Sequence, residues 1–157
     1  MINPDTTFNI SNLEITKMSL SDLDEISDIL LTEFDDFWNT NILESELKAE
    51  NSNFIVAKFN NEIVGFAGIK IIVDEADIMN IVTKKVYRNH GIASILLKNL
   101  IEMSKALNLN SITLEVNEKN SIALKLYKKF GFEQIGIRAN YYNHDNGIIM
   151  THYNILS

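Results

Sequence analysis

One short loop of the sequence has the residue types of a phosphate-binding site. It runs from Arg88 to Ala93 as Arg-Asn-His-Gly-Ile-Ala and stands directly before a long segment with helical spacing. Gly91 would let the backbone turn tightly and approach a ligand closely. The amides that follow, up to Ser94, would point unsatisfied from a helix N-terminus, which attracts phosphate. The alternative is a plain glycine turn that starts a core helix.

Positive charge is concentrated around this loop. Lys84, Lys85 and Arg88 belong to residues 81–157, which hold 10 Lys/Arg and 5 Asp/Glu, whereas residues 1–80 hold 4 Lys/Arg and 16 Asp/Glu. A basic half could hold an anionic cofactor beside an acidic half that faces a cation, and the acidic half argues against a nucleic-acid surface. The alternative is that both halves are solvated surfaces.

A second group of residues could carry out acid–base chemistry. Glu115 stands between Leu114 and Val116 in an alternating run, so its carboxylate could be partly desolvated and act as a base. Asn120 and Tyr127 lie seven residues apart, which is close to two helical turns, so they share a helix face. Tyr127 could donate its phenolic proton. The alternatives are a glutamate on a solvated sheet face and a half-buried core tyrosine.

Other kinds of chemistry are excluded or not indicated. The chain has no cysteine, which rules out disulfides, zinc–thiolate sites and a cysteine nucleophile. His90, His144 and His152 have no recognisable triad spacing and are interpreted as loop, turn and strand-surface residues. No metal site is predicted.

The elements that would position these residues form an α/β pattern. The predicted strands cover residues 13–18, 53–59, 62–73, 76–83, 112–116, 132–140 and 147–155. Helical spacing follows a start at Ser21 and continues to Phe34, and further helices are predicted over 42–50, 91–107 and 120–130. The order β-α-α-β-β-β-α-β-α-β-β predicts a mixed sheet covered by helices.

Local signals predict where these elements begin and end. Ser21, with Asp24 three residues later, is typical of a helix start. Asn60-Asn61 predicts a hairpin turn, because asparagine tolerates positive φ. Asn120 predicts a helix cap, and Gly131 predicts a helix end.

The length of 157 residues favours one domain. Residues 1–11 are polar and contain the one proline, so we expect a flexible N-terminus followed by a single domain over 12–157. The sequence begins without a signal-peptide pattern and has no apolar run near the ~20 residues of a membrane helix. A soluble, cytoplasmic protein is therefore expected.

Together, the two groups of residues resemble the acetyl-CoA-binding half of the GNAT acetyltransferase fold. An R-x-x-G-x-A loop opens a helix, a strand contains L-E-V, and N-x-x-A-x-x-L-Y-x-x-x-G-F follows. The finer pattern, over residues 13–153, is similar to the RimI family of ribosomal-protein-alanine N-acetyltransferases. Residues 78–83 resemble its cofactor strand, 138–142 with 148–150 its last hairpin, and 34–38 its substrate-side helix junction. The resemblance implies a mixed, mostly antiparallel GNAT sheet.

The resemblance assigns roles by position. It implies that the backbone of residues 81–83 binds the thioester arm of acetyl-CoA and that the loop binds the pyrophosphate. The residues expected to contact acetyl-CoA are Ile81, Val82, Thr83, Arg88, Asn89, His90, Gly91, Ile92, Ala93, Ser94, Asn120 and Tyr127. Glu115 would be the general base and Tyr127 the general acid. No metal is implied.

The resemblance also implies the acceptor side. Tyr141 and Tyr142 would contact a peptide at the last hairpin, because a tyrosine offers both an apolar face and a hydroxyl. Trp38 is a third predicted substrate-binding residue. Asn146 departs from the family pattern, which has an acidic residue near this hairpin, and Asn89-His90 depart from the usual Arg, Gly or Lys of the loop.

The acceptor is expected to be an α-amine. Deprotonating an α-amine of pKa 7.7–8.0 at pH 7 costs about 1 kcal/mol, against roughly 4.6 kcal/mol for lysine near 10.4. The resemblance narrows this α-amine to the N-terminal alanine of a ribosomal protein and implies direct transfer. Acidic residues around Glu33, Asp35 and Asp36 could attract a basic peptide. The alternatives are an N-acetyltransferase for a polyamine or amino acid, and a non-catalytic acetyl-CoA-binding protein. Retention of Glu115 and Tyr127 weighs against the latter.

Overall fold

The computed structural model describes residues 8–34, 38–153 and 155–156. The chain divides into two compact units. The first unit contains the described residues up to Ala67 together with Ile81–Leu96. The second contains Gly68–Asn80 and the described residues from Leu97 onward. The prediction of a single domain over 12–157 stays a prediction.

Seven strands of the described chain form one sheet. They are β1 Leu13–Lys17, β2 Ser52–Phe59, β3 Glu62–Ile72, β4 Glu75–Thr83, β5 Ser111–Asn117, β6 Glu133–Tyr142 and β7 Asp145–His152. Their order across the sheet is β1-β2-β3-β4-β5-β7-β6, so β6 is an edge strand. β4 and β5 run parallel, whereas β1 with β2, β5 with β7 and β6 with β7 run antiparallel. The predicted mixed, mostly antiparallel sheet is confirmed.

The described residues form four α-helices. These are α1 Leu20–Ile26, α2 Thr40–Lys48, α3 Ile92–Ala106 and α4 Ser121–Lys129. Two short 3-10 turns, Ile10–Asn12 and Lys85–Tyr87, and a π-helical turn, Leu30–Phe34, complete the order. The predicted succession of strands and helices is confirmed. Within the described ranges, no helix is long and apolar enough to cross a membrane.

The start of α1 differs from the sequence prediction. The cap is Ser19, whose Oγ accepts a hydrogen bond from the Asp22 N–H at 3.1 Å, while the Asp22 carboxylate accepts one from the Ser19 N–H at 2.8 Å. The prediction of Ser21 was wrong because Ser19 and Asp22 offer the same spacing two residues earlier. The predicted helical spacing through Phe34 is also interrupted, since α1 ends at Ile26 and a π-helical turn follows.

Other local signals are confirmed. Asn60 and Asn61 both have positive φ, at 50° and 67°, and form the turn between β2 and β3. Asn120 caps α4 by accepting a hydrogen bond from the Ala123 N–H at 3.1 Å. Gly131 follows α4 with φ of 97°. The Asn120 side chain and the Gly131 N–H, which donates to the Lys128 carbonyl at 3.1 Å, satisfy backbone groups that the ends of α4 leave unpaired.

The core of the first unit fixes the end of β4 beside the start of α3. β3 is buried without interruption from Ile63 to Ile69, as expected of a strand covered on both faces. A side chain at Gly65 would place its Cβ 2.9 Å from the Val82 carbonyl oxygen and 3.3 Å from Ile92. The glycine therefore permits close packing where the predicted cofactor strand meets the helix.

β5 and α3 show how the second unit separates a core face from an open face. Ile112, Leu114 and Val116 of β5 are buried, whereas Thr113 and Glu115, which alternate with them, are partly exposed. This alternation turns Glu115 away from the core. α3 ends at Ala106, one residue before its predicted end, and Leu107 beyond it is 44% exposed.

The described part of the N-terminal segment contacts the first unit. The ring of Phe8 lies 4.8 Å from that of Phe59 and 5.8 Å from that of Tyr87. The ring of Phe8 thus packs between aromatic neighbours, and the expectation of a flexible terminus over 1–11 stays a prediction. Residues 1–7 lie outside the described chain.

Candidate active site

The predicted phosphate loop is built in the first unit. Gly91 has φ of 82°, which a residue with a side chain rarely adopts, and α3 begins at the next residue. α3 is 15 residues long, so its first amides carry the partial positive charge of a helix N-terminus. Asn89 also has positive φ, at 67°. The glycine turn and the helix start stand where the sequence predicted them, and the role of this loop toward a phosphate stays a prediction.

Two cations in and near the loop, Lys84 and Arg88, contact other groups of the protein. Lys84 is buried, and its Nζ lies 3.3 Å from Glu62 Oε1 and 3.8 Å from Glu33 Oε1. Arg88 is exposed, but one of its guanidinium N–H groups donates to the Phe34 carbonyl at 3.1 Å. Lys85 is exposed on the 3-10 turn between them. These partners could not be predicted from the sequence, because Glu33, Phe34 and Glu62 are distant from Lys84 and Arg88 along the chain.

His90 and the end of β4 complete this part of the first unit. The Nδ1 of His90 lies 2.9 Å from the Arg88 carbonyl and 3.1 Å from the Tyr87 carbonyl, so it donates within its own turn. Val82 is buried, and the Lys84 N–H donates to the Val64 carbonyl at 2.8 Å. The role predicted for the backbone of residues 81–83 stays a prediction.

Glu115 lines a cleft in the second unit. The cleft has a volume of about 270 Å³. It is lined by Ile72, Glu75, Ala76, Asp77, Thr113, Leu114, Glu115, Arg138 and Ile149. Glu115 Oε1 lies 3.3 Å from Arg138 Nη2. Glu115 Oε2 is enclosed and has no hydrogen-bond donor among the described residues, and a Cβ at Gly147 would lie 2.8 Å from it.

Asp77 is a second carboxylate in this cleft that the sequence analysis missed. Asp77 pairs with Thr113 across the parallel strands β4 and β5, so it shares a sheet face with Glu115, two residues beyond Thr113. Partial burial raises the pKa of Asp77, and the Glu115 charge adds to this, whereas Arg138 opposes it. The alternation of β4 could have signalled an open-face position, but not the register that sets it beside Glu115.

Tyr127 lies on α4, which Asn120 caps, and neither residue lines that cleft. The Asn120 side chain is engaged as the helix cap. Tyr127 is partly buried, with its ring 5.9 Å from that of Phe132. The predicted roles of both residues toward the cofactor stay predictions.

The predicted acceptor residues differ in exposure. Trp38 is 1% exposed, and its ring lies 6.0 Å from that of Phe54, so it packs in the core of the first unit. This burial argues against direct contact between the Trp38 ring and an acceptor. Tyr141 is 49% exposed, and Arg138 lies over its ring at 4.8 Å. Residues 35–37, predicted beside Trp38, lie outside the described chain.

The hairpin that carries Tyr141 and Tyr142 is irregular. Tyr142 pairs with Asp145, which leaves a two-residue turn, and the pairing shifts between Arg138 and Tyr142. Asn140 stands in this shift with φ of 56°, and its N–H donates to Asn146 Oδ1 at 3.1 Å. Asn146, where the resembled family has an acidic residue, thus supports the bulge. No group of His, Asp or Glu suited to a metal ion occurs among the described residues.

Comparisons with known proteins agree with this arrangement. The model of the Acetyltransferase (GNAT) family matches residues 23–132. A candidate ribosomal protein bS18-alanine N-acetyltransferase of Bacillus subtilis is 35% identical over 85% of this chain and 88% of its own. The enzyme of that name from Haemophilus influenzae is 38% identical over 60% of this chain and 67% of its own.

The fold agrees as well. The crystal structure of the ribosomal-protein-S18-alanine N-acetyltransferase from Escherichia coli superimposes with a TM-score of 0.83. It is 26% identical, and the match covers 90% of this chain and 94% of that one. The chain is an acetyltransferase that belongs to the GNAT family.

Proposed function

We propose that this enzyme transfers the acetyl group of acetyl-CoA to the α-amine of a protein N-terminus, with alanine of a ribosomal protein as the acceptor. The Haemophilus influenzae and Escherichia coli proteins described above are named for this reaction on ribosomal protein S18, which supports the same acceptor class here. A reaction on a ribosomal protein would take place in the cytoplasm.

The observation that carries the proposal is the placement of Glu115. Its carboxylate lines a cleft large enough for the end of a peptide, and one of its oxygens is enclosed with no donor from the described part of the chain. A desolvated oxygen of this kind favours a proton or a cation as its partner. An acceptor amine would bring both.

The proposed cofactor contacts rest on backbone geometry. Residues 81–83 would hold the thioester arm and Asn89–Ser94 the pyrophosphate. The positive φ of Gly91 and the start of α3 at Ile92 support this fit, because they leave backbone N–H groups directed out of the helix. Acetyl-CoA supplies the acetyl group and a thiolate leaving group. Asn120, through its place at the α4 N-terminus, and Tyr127 complete the proposed set.

The proposed reaction is a direct transfer. Glu115 accepts the amine proton, directly or through one water, as the amine nitrogen bonds to the acetyl carbon. Backbone N–H groups of residues 81–83 stabilise the charge that develops on the carbonyl oxygen. The carbon–sulfur bond breaks, and Tyr127 donates its phenolic proton to the sulfur. No covalent acyl-enzyme is needed, in keeping with a chain that has no cysteine.

The acceptor would lie along the last hairpin. Tyr141 offers an exposed face, and Tyr142 lies beside it at the end of β6. Arg138 would hold Glu115 until the ammonium of the acceptor replaces its guanidinium. Trp38, being buried, would not contact the acceptor with its ring.

A second candidate function is acetylation of a small polyamine. It is favoured by Glu75 and Asp77, which line the same cleft as Glu115 and outnumber the single arginine there. A polycation would pair with several of these carboxylates at once.

The two candidates are separated by initial rates on three acceptors. They are an Ala-initiated basic peptide, the same peptide with a blocked N-terminus and free lysines, and spermidine. We expect activity on the first, weakening at high salt, because acidic residues attract a basic peptide. Activity on spermidine alone would select the second candidate, and activity on the blocked peptide would identify a lysine acetyltransferase.

A further inference from the structure

The connection between β4 and α3 is attached to the π-helical turn at two points. At its start, Lys84 forms ion pairs with Glu33 and Glu62. At its other end, Arg88 donates to the Phe34 carbonyl. Glu33 and Phe34 are the last two residues of the π-helical turn, so one short segment receives both cations.

The first attachment, through Lys84, lies in a buried position. The Lys84 side chain is only 10% exposed, and a cation in such a place is tolerated when carboxylates surround it. Glu62 is held in turn by the Tyr87 hydroxyl, which donates to its second oxygen. Burial and this hydrogen bond raise the pKa of Tyr87 far above its usual value, so the hydroxyl keeps its proton. Lys84, Glu62 and Tyr87 thus form one polar network.

The second attachment satisfies a helix end. The last carbonyls of a helical segment have no partner within it and need donors from elsewhere. Arg88 supplies one for Phe34, across 54 residues of sequence. π-helical turns are rare and are found disproportionately at functional sites. The arginine therefore connects the π-helical turn to the phosphate loop.

We propose that Lys84 and Arg88 are positioning residues that fix the β4–α3 connection on the π-helical turn, which leaves the backbone of Asn89–Ser94 to bind phosphate. The inference rests on the proposed function, since it concerns the acetyl-CoA site. It reassigns two cations that a sequence pattern would give to the phosphates. Coenzyme A affinity then depends on how well the loop is held, rather than on the charge at residue 88.

The test uses Arg88→Gln, Arg88→Lys and a control, Lys85→Gln, which removes an exposed positive charge from the same connection. Coenzyme A affinity is measured by calorimetry at several salt concentrations. Amide hydrogen exchange of residues 30–34 is followed by mass spectrometry. Thermal melting establishes that each variant is folded.

We expect Arg88→Gln to weaken coenzyme A binding at least about fivefold and to accelerate exchange at residues 30–34. Its salt dependence should match that of the wild type, because no phosphate contact is lost. In Arg88→Lys, affinity should follow the exchange protection of the turn, whether the lysine restores the bond or not. Lys85→Gln should leave that protection unchanged.

The proposal is overturned if affinity follows charge instead. That result would be a wild-type affinity in Arg88→Lys with the π-helical turn still unprotected, or a shallower salt dependence in Arg88→Gln with exchange unchanged. If the wild type itself fails to bind coenzyme A, the proposed function falls. If the wild type binds coenzyme A but hydrogen exchange of the π-helical turn does not respond to substitutions of Arg88, only this inference falls.

Discussion

At the scale of the residue, the proposed reaction depends most on two side chains, the base Glu115 and the acid Tyr127. Glu115 lies in a cleft and Tyr127 on a helix outside it, so the proposed proton acceptor and donor have different surroundings. Arg138 and Asp77 flank the glutamate with opposite charges. The pair can therefore be tested by changes that keep the shape of each side chain and remove only its proton chemistry.

Tyr127→Phe removes the proposed donor and retains the ring that packs against Phe132. We expect turnover to fall by about 10²-fold or more with coenzyme A affinity nearly unchanged. Glu115→Gln should flatten the rise of rate with pH, because the carboxylate is the proposed base. Steady-state rates from pH 6 to about 9 measure both.

Matched controls are available for both variants. Tyr153→Phe removes a phenol from an exposed position, and Glu133→Gln removes an exposed carboxylate; neither residue lines the cleft. Near-wild-type turnover in Tyr127→Phe and Glu115→Gln, where chemistry limits the rate, would refute the assigned roles.

The residue scale also marks a limit of prediction from sequence. Glu115 could be singled out, since a strand alternation and a motif both contain it. Asp77 could not, because its place beside Glu115 depends on the pairing of Asp77 with Thr113 between strands that are distant in sequence. Arg138 could be seen as part of a motif, but its ion pair with Glu115 required the positions of β6 and β7.

At the scale of the element, α1 begins with a capping box that carries an additional ion pair. The Asp22 carboxylate accepts from Ser19 and lies 3.0 Å from Lys58 Nζ. Burial alone would raise the pKa of Asp22, but the hydrogen bonds from Ser19 and Lys58 outweigh it and lower the net value. A lowered pKa in the folded state means that ionised Asp22 stabilises the fold.

Two substitutions test this cap and the charge of Asp22. Ser19→Ala should lower the free energy of unfolding by about 1 kcal/mol, the typical contribution of a capping hydroxyl. Asp22→Asn should remove a contribution that is present above the unfolded pKa near 4 and is lost as pH falls through the lower folded pKa.

Urea denaturation at pH 7 and at about pH 3 measures this difference for the wild type and for Asp22→Asn. The loss caused by the substitution should be larger at the higher pH. An equal loss at both values would contradict the role of the charge.

The sequence predicted which segments form helices and strands better than it predicted the residues at which they end. Asn60-Asn61 and Asn120 gave correct boundaries because the positive φ of the first two and the capping hydrogen bond of the third are local to their own turns. The π-helical turn was not predicted, since Leu30 and Phe34 keep a helical spacing whichever hydrogen bonds form. The Phe34 carbonyl takes its donor from Arg88, which no local pattern reveals.

At the scale of the whole molecule, cofactor binding should add to stability by mass action. Coenzyme A at 100 times its Kd should contribute about 2.7 kcal/mol. At roughly 2–4 °C per kcal/mol for a chain of this size, the Tm should rise by about 5–11 °C. Differential scanning fluorimetry with increasing coenzyme A measures the shift.

Two substitutions of Gly91 provide the control for this Tm shift. Gly91→Asp would place a negative charge where the pyrophosphate is proposed to bind, and Gly91→Asn would add a side chain of the same size without the charge. Both residues tolerate positive φ better than most. A Tm shift in Gly91→Asp as large as that of the wild type would contradict the loop assignment.

The edge position of β6 has a consequence for solubility. An edge strand offers unpaired backbone groups to the strands of other molecules, and Ile135 and Ile137 are exposed along this one. The bulge around Asn140 interrupts the strand just beyond them, which shortens the straight stretch that a foreign strand could join. The irregular backbone beside Tyr141 thus also discourages aggregation at this edge.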